Sequence, residues 1–216
     1  KSREIDVDAD DPDHLGFVSI RFTLECKAGG KPWVLLCSDD TVSNYNRAFA
    51  FAASSVTGRH ELIAAMSRDV AAFFARIPWV DKQGLVGYSL RQAHSEKDNA
   101  FEAAVSVSKA CNAYIRQYEH KRNPWIGFAF PVIVVESPLI RCWLTGDGEI
   151  QLEETNEGEF LFLPDFGACI RVITADHLPT FAAKAKQVAD QLRKEFKFFE
   201  EEALKPRPPR RIRLED

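Results

Sequence analysis

Alternating polar and apolar residues mark the beginning of the chain. Over residues 17–27 every second side chain is apolar, and this set comprises Val18, Ile20, Phe22, Leu24 and Cys26. The intervening polar set comprises Ser19, Arg21, Thr23, Glu25 and Lys27. Such alternation predicts a β-strand with one apolar and one polar face. Residues 4–9 alternate in the same way and residues 33–37 form an apolar run, so we expect a meander of three strands.

Two segments further along the chain have the period of an amphipathic helix. Residues 59–76 carry an apolar stripe made up of Leu62, Ile63, Met66, Val70, Phe73 and Phe74. Residues 95–118 form the second helix, with Ser95 as the expected N-cap and Asp98 in the first turn. Its expected inner face consists of Phe101, Ala104, Val105, Ser108, Cys111, Asn112 and Ile115.

A continuous apolar run at residues 128–135 follows the second helix and is typical of a central strand reached by a helical crossover. Shorter strands are predicted at residues 139–144, 150–153, 159–163 and 168–174, with a closing helix at residues 178–204. The pattern predicts an α/β fold: a mixed central sheet with a helix crossover, extended by C-terminal antiparallel strands and a closing helix. We expect one domain over residues 1–204 and a basic, proline-rich tail or linker over residues 205–216.

Composition narrows the class of protein. The 216 residues suffice for one well-buried domain, and 45% hydrophobic with 28% charged residues is ordinary globular composition. The formal net charge of −4 gives no overall basic signature of a nucleic-acid binder, although a local groove and a bound metal ion can supply positive charge. The sequence shows neither a signal peptide nor an apolar run approaching the roughly 18 residues of a membrane helix. We therefore expect a cytoplasmic protein without a membrane partner.

The triplet Glu25-Cys26-Lys27 carries the candidate chemistry. Residues two apart on a strand share a face, so the carboxylate and the ammonium project side by side, and a neighbouring strand supplies Asp6. Two carboxylates at one point repel each other unless a cation lies between them, and hard oxygen ligands suit Mg²⁺ or Mn²⁺. The alternative is an ordinary salt bridge on the solvated face of a strand, because a Glu-x-Lys triplet occurs by chance in many proteins.

Three short segments, residues 3–9, 24–27 and 32–34, together resemble the PD-(D/E)xK, or restriction-endonuclease-like, nuclease superfamily. Residues 98–104 and 130–135 look like the crossover helix and the next core strand of that fold. The resemblance implies that Asp6 and Glu25 bind Mg²⁺ or Mn²⁺, that the backbone carbonyl of Cys26 joins them, and that Lys27 assists the attacking water. It further implies hydrolysis of DNA, in the setting of a bacterial restriction or antiphage defence system.

Two features depart from the family pattern. The literal Pro-Asp dipeptide is Pro12-Asp13, but it lies in a turn, and at ~3.3 Å per residue the strand up to Glu25 spans roughly 25 Å. We therefore prefer Asp6 as the ligand and keep Asp8, on the same face, as the reserve. The helix that usually precedes the aspartate strand is expected to lie on residues before Lys1.

Several alternatives stay open at this point. The same fold can serve as a catalytically silent module for binding or assembly, with other protein subunits or a second copy as partners. Ser108 and Lys109 either approach a phosphate or belong to an ordinary helix surface. Trp79 and Trp125 either stack on bases or belong to the core. The five cysteines, which form no C-x-x-C pair, are expected to be reduced and buried.

Overall fold

The computed structural model describes residues 6–11, 16–41, 47–77, 85–119, 125–163 and 168–205. These residues form one mixed sheet and five α-helices. The strands are β1 (Asp6–Asp11), β2 (Val18–Lys27), β3 (Trp33–Ser38), β4 (Ala53–Ser54), β5 (Val86–Gln92), β6 (Ile126–Val135), β7 (Leu139–Leu144), β8 (Ile150–Thr155), β9 (Glu157–Leu161) and β10 (Cys169–Thr174). The helices are α1 (Arg47–Phe51), α2 (Val56–Arg68), α3 (Val70–Ala75), α4 (Asn99–Glu119) and α5 (Leu178–Leu204).

Strand β6 lies in the interior of the sheet, third from the edge formed by β1, and its residues are all buried. This strand runs parallel to β2 on one side and to β10 on the other, and α4 precedes it in the chain. The strand order is β1-β2-β6-β10-β9-β5-β3-β7-β8, with β4 paired to β6 beside this path. The predicted mixed α/β fold is therefore confirmed, with residues 128–135 in a buried interior strand.

The predicted meander is only half right. Strands β1 and β2 pair antiparallel, but β3 leaves them and lies between β5 and β7. The place beside β2 goes to β6, the most apolar strand, which puts it in the interior of the sheet where helices cover both of its faces. Among the C-terminal strands, β7 and β8 extend the sheet at one edge, whereas β9 and β10 are inserted between β6 and β5.

Strand β5 has no counterpart among the predicted strands, although Val86, Tyr88 and Leu90 alternate with smaller or polar residues. The structure shows why glycine is needed there: a Cβ atom on Gly87 would lie 2.5 Å from Cδ1 of Leu35 and 2.8 Å from Cβ of Phe160. The backbones of β3, β5 and β9 approach closely at this point. A residue with a side chain at position 87 would be incompatible with that approach.

The helix boundaries differ from the predictions at their capping residues. The segment expected as one helix is divided into α2 and α3 at Asp69, whose carboxylate accepts a hydrogen bond from the backbone nitrogen of Ala72 at 2.9 Å. Helix α4 is capped by Asp98, which accepts from the nitrogen of Phe101 at 3.0 Å, and not by Ser95. Acceptor side chains at both positions satisfy the first free N–H groups of the following turn.

Helices cover both faces of the sheet. Helices α2, α3 and α5 pack on the face that carries Phe22, Phe128 and Phe130. Helix α4 packs on the opposite face through residues that are mostly small, namely Ala100, Ala103, Ala104, Val107 and Cys111. Phe101 was expected on this inner face but is 52% exposed, because the neighbouring residue Ala100 takes the buried position instead. Within the described residues, no helix combines the length and the apolar character needed to cross a membrane.

A charged network joins α5 to the sheet. The carboxylate of Glu157 on β9 contacts Arg171 at 3.3 Å, Lys184 at 2.5 Å and His177 at 3.2 Å. Burial alone would raise the pKa of Glu157, but the hydrogen bond from Lys184 and the charge of Arg171 outweigh it and hold this pKa below its usual value. A carboxyl group with a lowered pKa stabilises the fold above its unfolded pKa, and this contribution is lost as the pH falls.

We predict that Glu157→Gln lowers the free energy of unfolding at pH 7 by about 2 kcal/mol, less than for a fully buried pair because the partners are partly exposed. The deficit should shrink as the pH falls through the acidic range, where Glu157 of the wild type becomes protonated. Chemical denaturation of both proteins between pH 3 and pH 7 measures this, with the pH values chosen around ~4.3, the ordinary glutamate pKa. The exposed pair of Glu153 with Arg141 provides the control Glu153→Gln, which should have little effect. A deficit that does not vary with pH would contradict the assignment.

Candidate active site

The polar face of β2 lies against α4 and is not solvated. The ring of Tyr114 stacks under the guanidinium of Arg21 at 3.9 Å, and its hydroxyl is hydrogen-bonded to Ser19. Further along the strand, Glu25 is 2% exposed. The solvated face expected in that alternative is therefore wrong, because the polar residues of β2 form a seam between the sheet and a helix, whereas its salt bridge between Glu25 and Lys27 is present.

Glu25 is held from two directions. Its Oε1 lies 2.8 Å from Nζ of Lys27, two residues along the same strand. Its Oε2 accepts a hydrogen bond of 2.9 Å from the hydroxyl of Ser106 on α4. The side chain of Lys27 is 12% exposed, so the ion pair lies largely within the protein. The structure thus brings Glu25 and Lys27 together as the strand spacing predicted.

The backbone of Cys26 is oriented by the parallel pairing of β2 with β6. The carbonyl of Lys27 accepts a hydrogen bond of 3.2 Å from the nitrogen of Glu136, immediately after β6. Successive carbonyls of a strand point to opposite sides, so the carbonyl of Cys26 points toward β1. This is the side on which Asp6 lies.

Asp6 occupies the register position opposite Glu25. The structure describes its backbone, while its side chain lies outside the described part. Because Glu25 directs its own backbone groups toward β6, Asp6 and Glu25 form one of the narrow, non-hydrogen-bonded pairs of the β1–β2 ladder, in which opposed side chains are closest. The two equivalent pairs further along the ladder are in contact: Thr23 donates to Asp8 at 2.9 Å, and Arg21 to Asp10 at 2.6 Å. The predicted pairing of the first two strands is confirmed.

The structure separates the competing aspartates. Asp8, the reserve candidate, is opposite Thr23 and also approaches Nη1 of Arg21 at 3.5 Å. Pro12 and Asp13, the literal Pro-Asp dipeptide, lie outside the described residues. Of the aspartates described on β1, Asp6 is the one opposite Glu25.

The donor set agrees in chemical type with a small divalent cation. The resemblance implies carboxylate oxygens from Asp6 and Glu25 and a carbonyl oxygen from Cys26, which are the ligands that Mg²⁺ and Mn²⁺ prefer. The two carboxylates carry two negative charges against the single positive charge of Lys27. Among the side chains that the structure describes, no group of three or more histidine, cysteine, aspartate or glutamate residues is placed to hold a metal ion. Any such site at Glu25 therefore depends on Asp6 and on the backbone.

Three of the cysteines are not candidates for thiol chemistry. No disulfide joins any of the five, all of which lie in the described ranges, and Cys37 and Cys111 are buried as expected, whereas Cys26, Cys142 and Cys169 are only partly buried. Burial raises the pKa of Cys37 to about 11 and of Cys111 and Cys169 to about 12, so these three thiols are protonated at neutral pH. A protonated thiol is neither a nucleophile nor a good metal ligand.

The structure decides the alternative for Trp125 and leaves that for Ser108 and Lys109 open. Trp125 is 7% exposed and packs edge-on against Tyr114 in the core, so it is not a stacking platform. Lys109 is exposed on α4, and Ser108 is half-buried. Trp79 and residues 207–213 lie outside the described residues. Sequence reasoning missed Ser106, whose only signal was a hydroxyl beside the buried stripe of α4.

Comparison with other proteins adds no family assignment. No protein-family model, no curated protein and no solved structure matches this chain. The resemblance to PD-(D/E)xK nucleases rests on the residues of β1, β2, α4 and β6, and the restriction-endonuclease-like core stays a prediction.

The buried ion pair predicts a specific pattern of stability. Lys27→Met should lower the free energy of unfolding by about 3 kcal/mol, because it leaves the charge of Glu25 in the interior without its ammonium partner. Adding Glu25→Gln removes that charge and should restore most of the loss. Chemical denaturation of the single and double variants measures the coupling.

The control is Lys197→Met, at a side chain that is 73% exposed and pairs with Glu201 on the surface. It should leave the melting temperature unchanged. If Lys27→Met behaved like this control, or if the losses in the double variant were additive, Glu25 and Lys27 would not form a coupled interior pair.

Proposed function

We propose that this chain is a Mg²⁺-dependent nuclease that hydrolyses phosphodiester bonds in DNA, with Asp6, Glu25 and Lys27 as its active site. The observation that carries the proposal is the register of β1 and β2. It sets Asp6 opposite Glu25 in a narrow pair, on the face where Glu25 is ion-paired to Lys27. The setting that we propose is the cytoplasm, in a restriction or antiphage defence system.

The residues that would hold the metal ion are Asp6, Glu25 and, through its carbonyl, Cys26. When bound, such an ion polarises a phosphoryl oxygen and lowers the pKa of a coordinated water. Glu25 contributes a carboxylate whose orientation is fixed on two sides, which limits the reorganisation needed for binding. Asp6 lies on an edge strand, so one flank of this pair is not enclosed by a further strand among the described residues.

Lys27 supplies the positive charge for the reaction. Its ammonium contacts Glu25 and, as a donor without acceptor capacity, cannot itself bind a cation. In hydrolysis the oxygen of water forms a bond to phosphorus, the bond from phosphorus to the leaving sugar oxygen breaks, and that oxygen takes up a proton. Lys27 is positioned to orient the attacking water or to stabilise the charge that builds up on the non-bridging oxygens.

One observation favours a second candidate function. Glu25 is 2% exposed, and both of its oxygens have partners in Lys27 and Ser106. A catalytically silent module that serves binding or assembly with other subunits would keep such a pair for structural reasons alone. The two candidates differ in one respect that can be measured, since the silent module binds no metal ion at Glu25.

The nuclease proposal predicts cleavage of DNA in Mg²⁺ or Mn²⁺ and none in excess chelator. Asp6→Ala and Glu25→Ala should lose both Mn²⁺ binding and cleavage. Lys27→Ala should lose cleavage by orders of magnitude while keeping most of the metal affinity, because an ammonium is not a ligand. Calorimetric Mn²⁺ titration and a nuclease assay on the same preparations test this. Undiminished cleavage in chelator would rule out the mechanism, and loss of Mn²⁺ binding in Lys27→Ala alone would reverse the roles.

A second experiment identifies the catalytic aspartate. Asp6→Asn should lose activity by orders of magnitude at limiting Mg²⁺ and regain part of it at high Mg²⁺, because one of two anionic ligands is neutralised. Asp13→Asn, in the literal motif, and Asp10→Asn, on the same strand face as Asp6, should stay near the wild type. Melting curves exclude unfolding. If Asp13→Asn were inactive and Asp6→Asn active, the site would have to be rebuilt around the turn.

A further inference from the structure

Helix α4 approaches the polar face of β2 closely because its inner residues are small. Ala103, Ala104 and Val107 are buried against the sheet. The short side chain of Ser106 spans the gap between α4 and β2, because its hydroxyl is 2.9 Å from Oε2 of Glu25. Ser106 and Glu25 are separated by 81 residues in the sequence. The contact therefore exists only because the crossover helix docks in this register.

Lys27 and Ser106, which both contact the carboxylate of Glu25, differ in rigidity. Lys27 has a long side chain whose ammonium can follow the carboxylate or turn to another acceptor. Ser106 has a single side-chain torsion and stands on a helix of 21 residues, so its hydroxyl has an almost fixed position. The orientation of the carboxylate is consequently set by the helix, through Oε2, while Oε1 remains on the side of Lys27.

We propose that Ser106 is a positioning residue for Glu25: it fixes the carboxylate through Oε2 in the orientation in which Oε1 lies beside Lys27, and so preorganises the carboxylate that would hold the metal ion. This inference rests on the proposed nuclease function. Partners of this kind, which hold a metal-ligating carboxylate without touching the ion, orient the ligand and typically change metal affinity or activity by about 10- to 100-fold when they are removed.

The decisive variant is Ser106→Ala. Alanine is the best helix former, so the substitution removes the hydroxyl without a cost in helix propensity. We expect the calorimetric dissociation constant for Mn²⁺, measured without DNA, to rise about tenfold. The Mg²⁺ concentration for half-maximal cleavage should rise by a similar factor. The KM for DNA at saturating Mg²⁺ should stay unchanged, because the hydroxyl of Ser106 lies between the helix and the sheet.

Three further variants separate positioning from a structural role. Ser106→Thr retains the hydroxyl and should retain the Mn²⁺ affinity. Ser106→Cys keeps the size but offers only a weak donor, and it should weaken Mn²⁺ binding even if the alanine variant does not fold. Ser108→Ala is the matched control, since Ser108 is also half-buried on α4 but lies two residues further along, on a different side of the helix. It should behave as the wild type.

The outcomes distinguish the two levels of the proposal. If the wild type itself neither binds Mn²⁺ nor cleaves DNA, the proposed function fails, and the role of Ser106 toward a metal ion fails with it. If the wild type is active but Ser106→Ala and Ser106→Cys lower only the melting temperature and leave the Mn²⁺ affinity unchanged, Ser106 is a structural partner and the inference is overturned. Weakened Mn²⁺ binding that Ser106→Thr restores supports it.

Discussion

The buried carboxylate of Glu25 constrains how strand β2 and helix α4 pack against each other. Glu25 is at a sheet position that α4 covers, and an ionised group removed from water needs partners for both of its oxygens. Lys27 supplies the opposite charge from the same strand, and Ser106 supplies a hydroxyl from the helix above. An unpaired charge at this position would lower the free energy of unfolding by more than most single interactions raise it. Strand β2 and helix α4 must therefore dock in the register that brings Ser106 to Glu25.

This requirement accounts for the composition of the seam between sheet and helix. The alanines of α4 permit the close approach, and the polar side chains of β2 find partners along its length, from Ser19 with Tyr114 to Glu25 with Ser106. The opposite face of β2 is entirely apolar and packs under α5. One strand thus separates a hydrophobic core from a polar seam, and the edge strand β1 brings Asp8 and Asp10 into contact with Thr23 and Arg21 of that seam.

Local patterns predicted part of this arrangement, and long-range contacts determined the rest. The alternation over β2 and the short connection to β1 fixed which residues share a face and therefore the pairing of Asp6 with Glu25. The position of β3 could not be read in the same way, because it follows from the parallel pairing of β2 with a strand about 100 residues away in the sequence. Ser106 was missed for the same reason: its partner lies on another element, and a serine on a helix carries no signal of what it faces.

The central claim is that Asp6 and Glu25 form a metal site, and anomalous diffraction from crystals soaked in Mn²⁺ tests it most directly. The account predicts one anomalous peak between the two carboxylates, at about 2.1 Å from an oxygen of each and near the carbonyl of Cys26. Ser106 should still donate to Oε2 of Glu25 in that structure. An empty position with Glu25 still held between Lys27 and Ser106, at a Mn²⁺ concentration that supports cleavage, would contradict it.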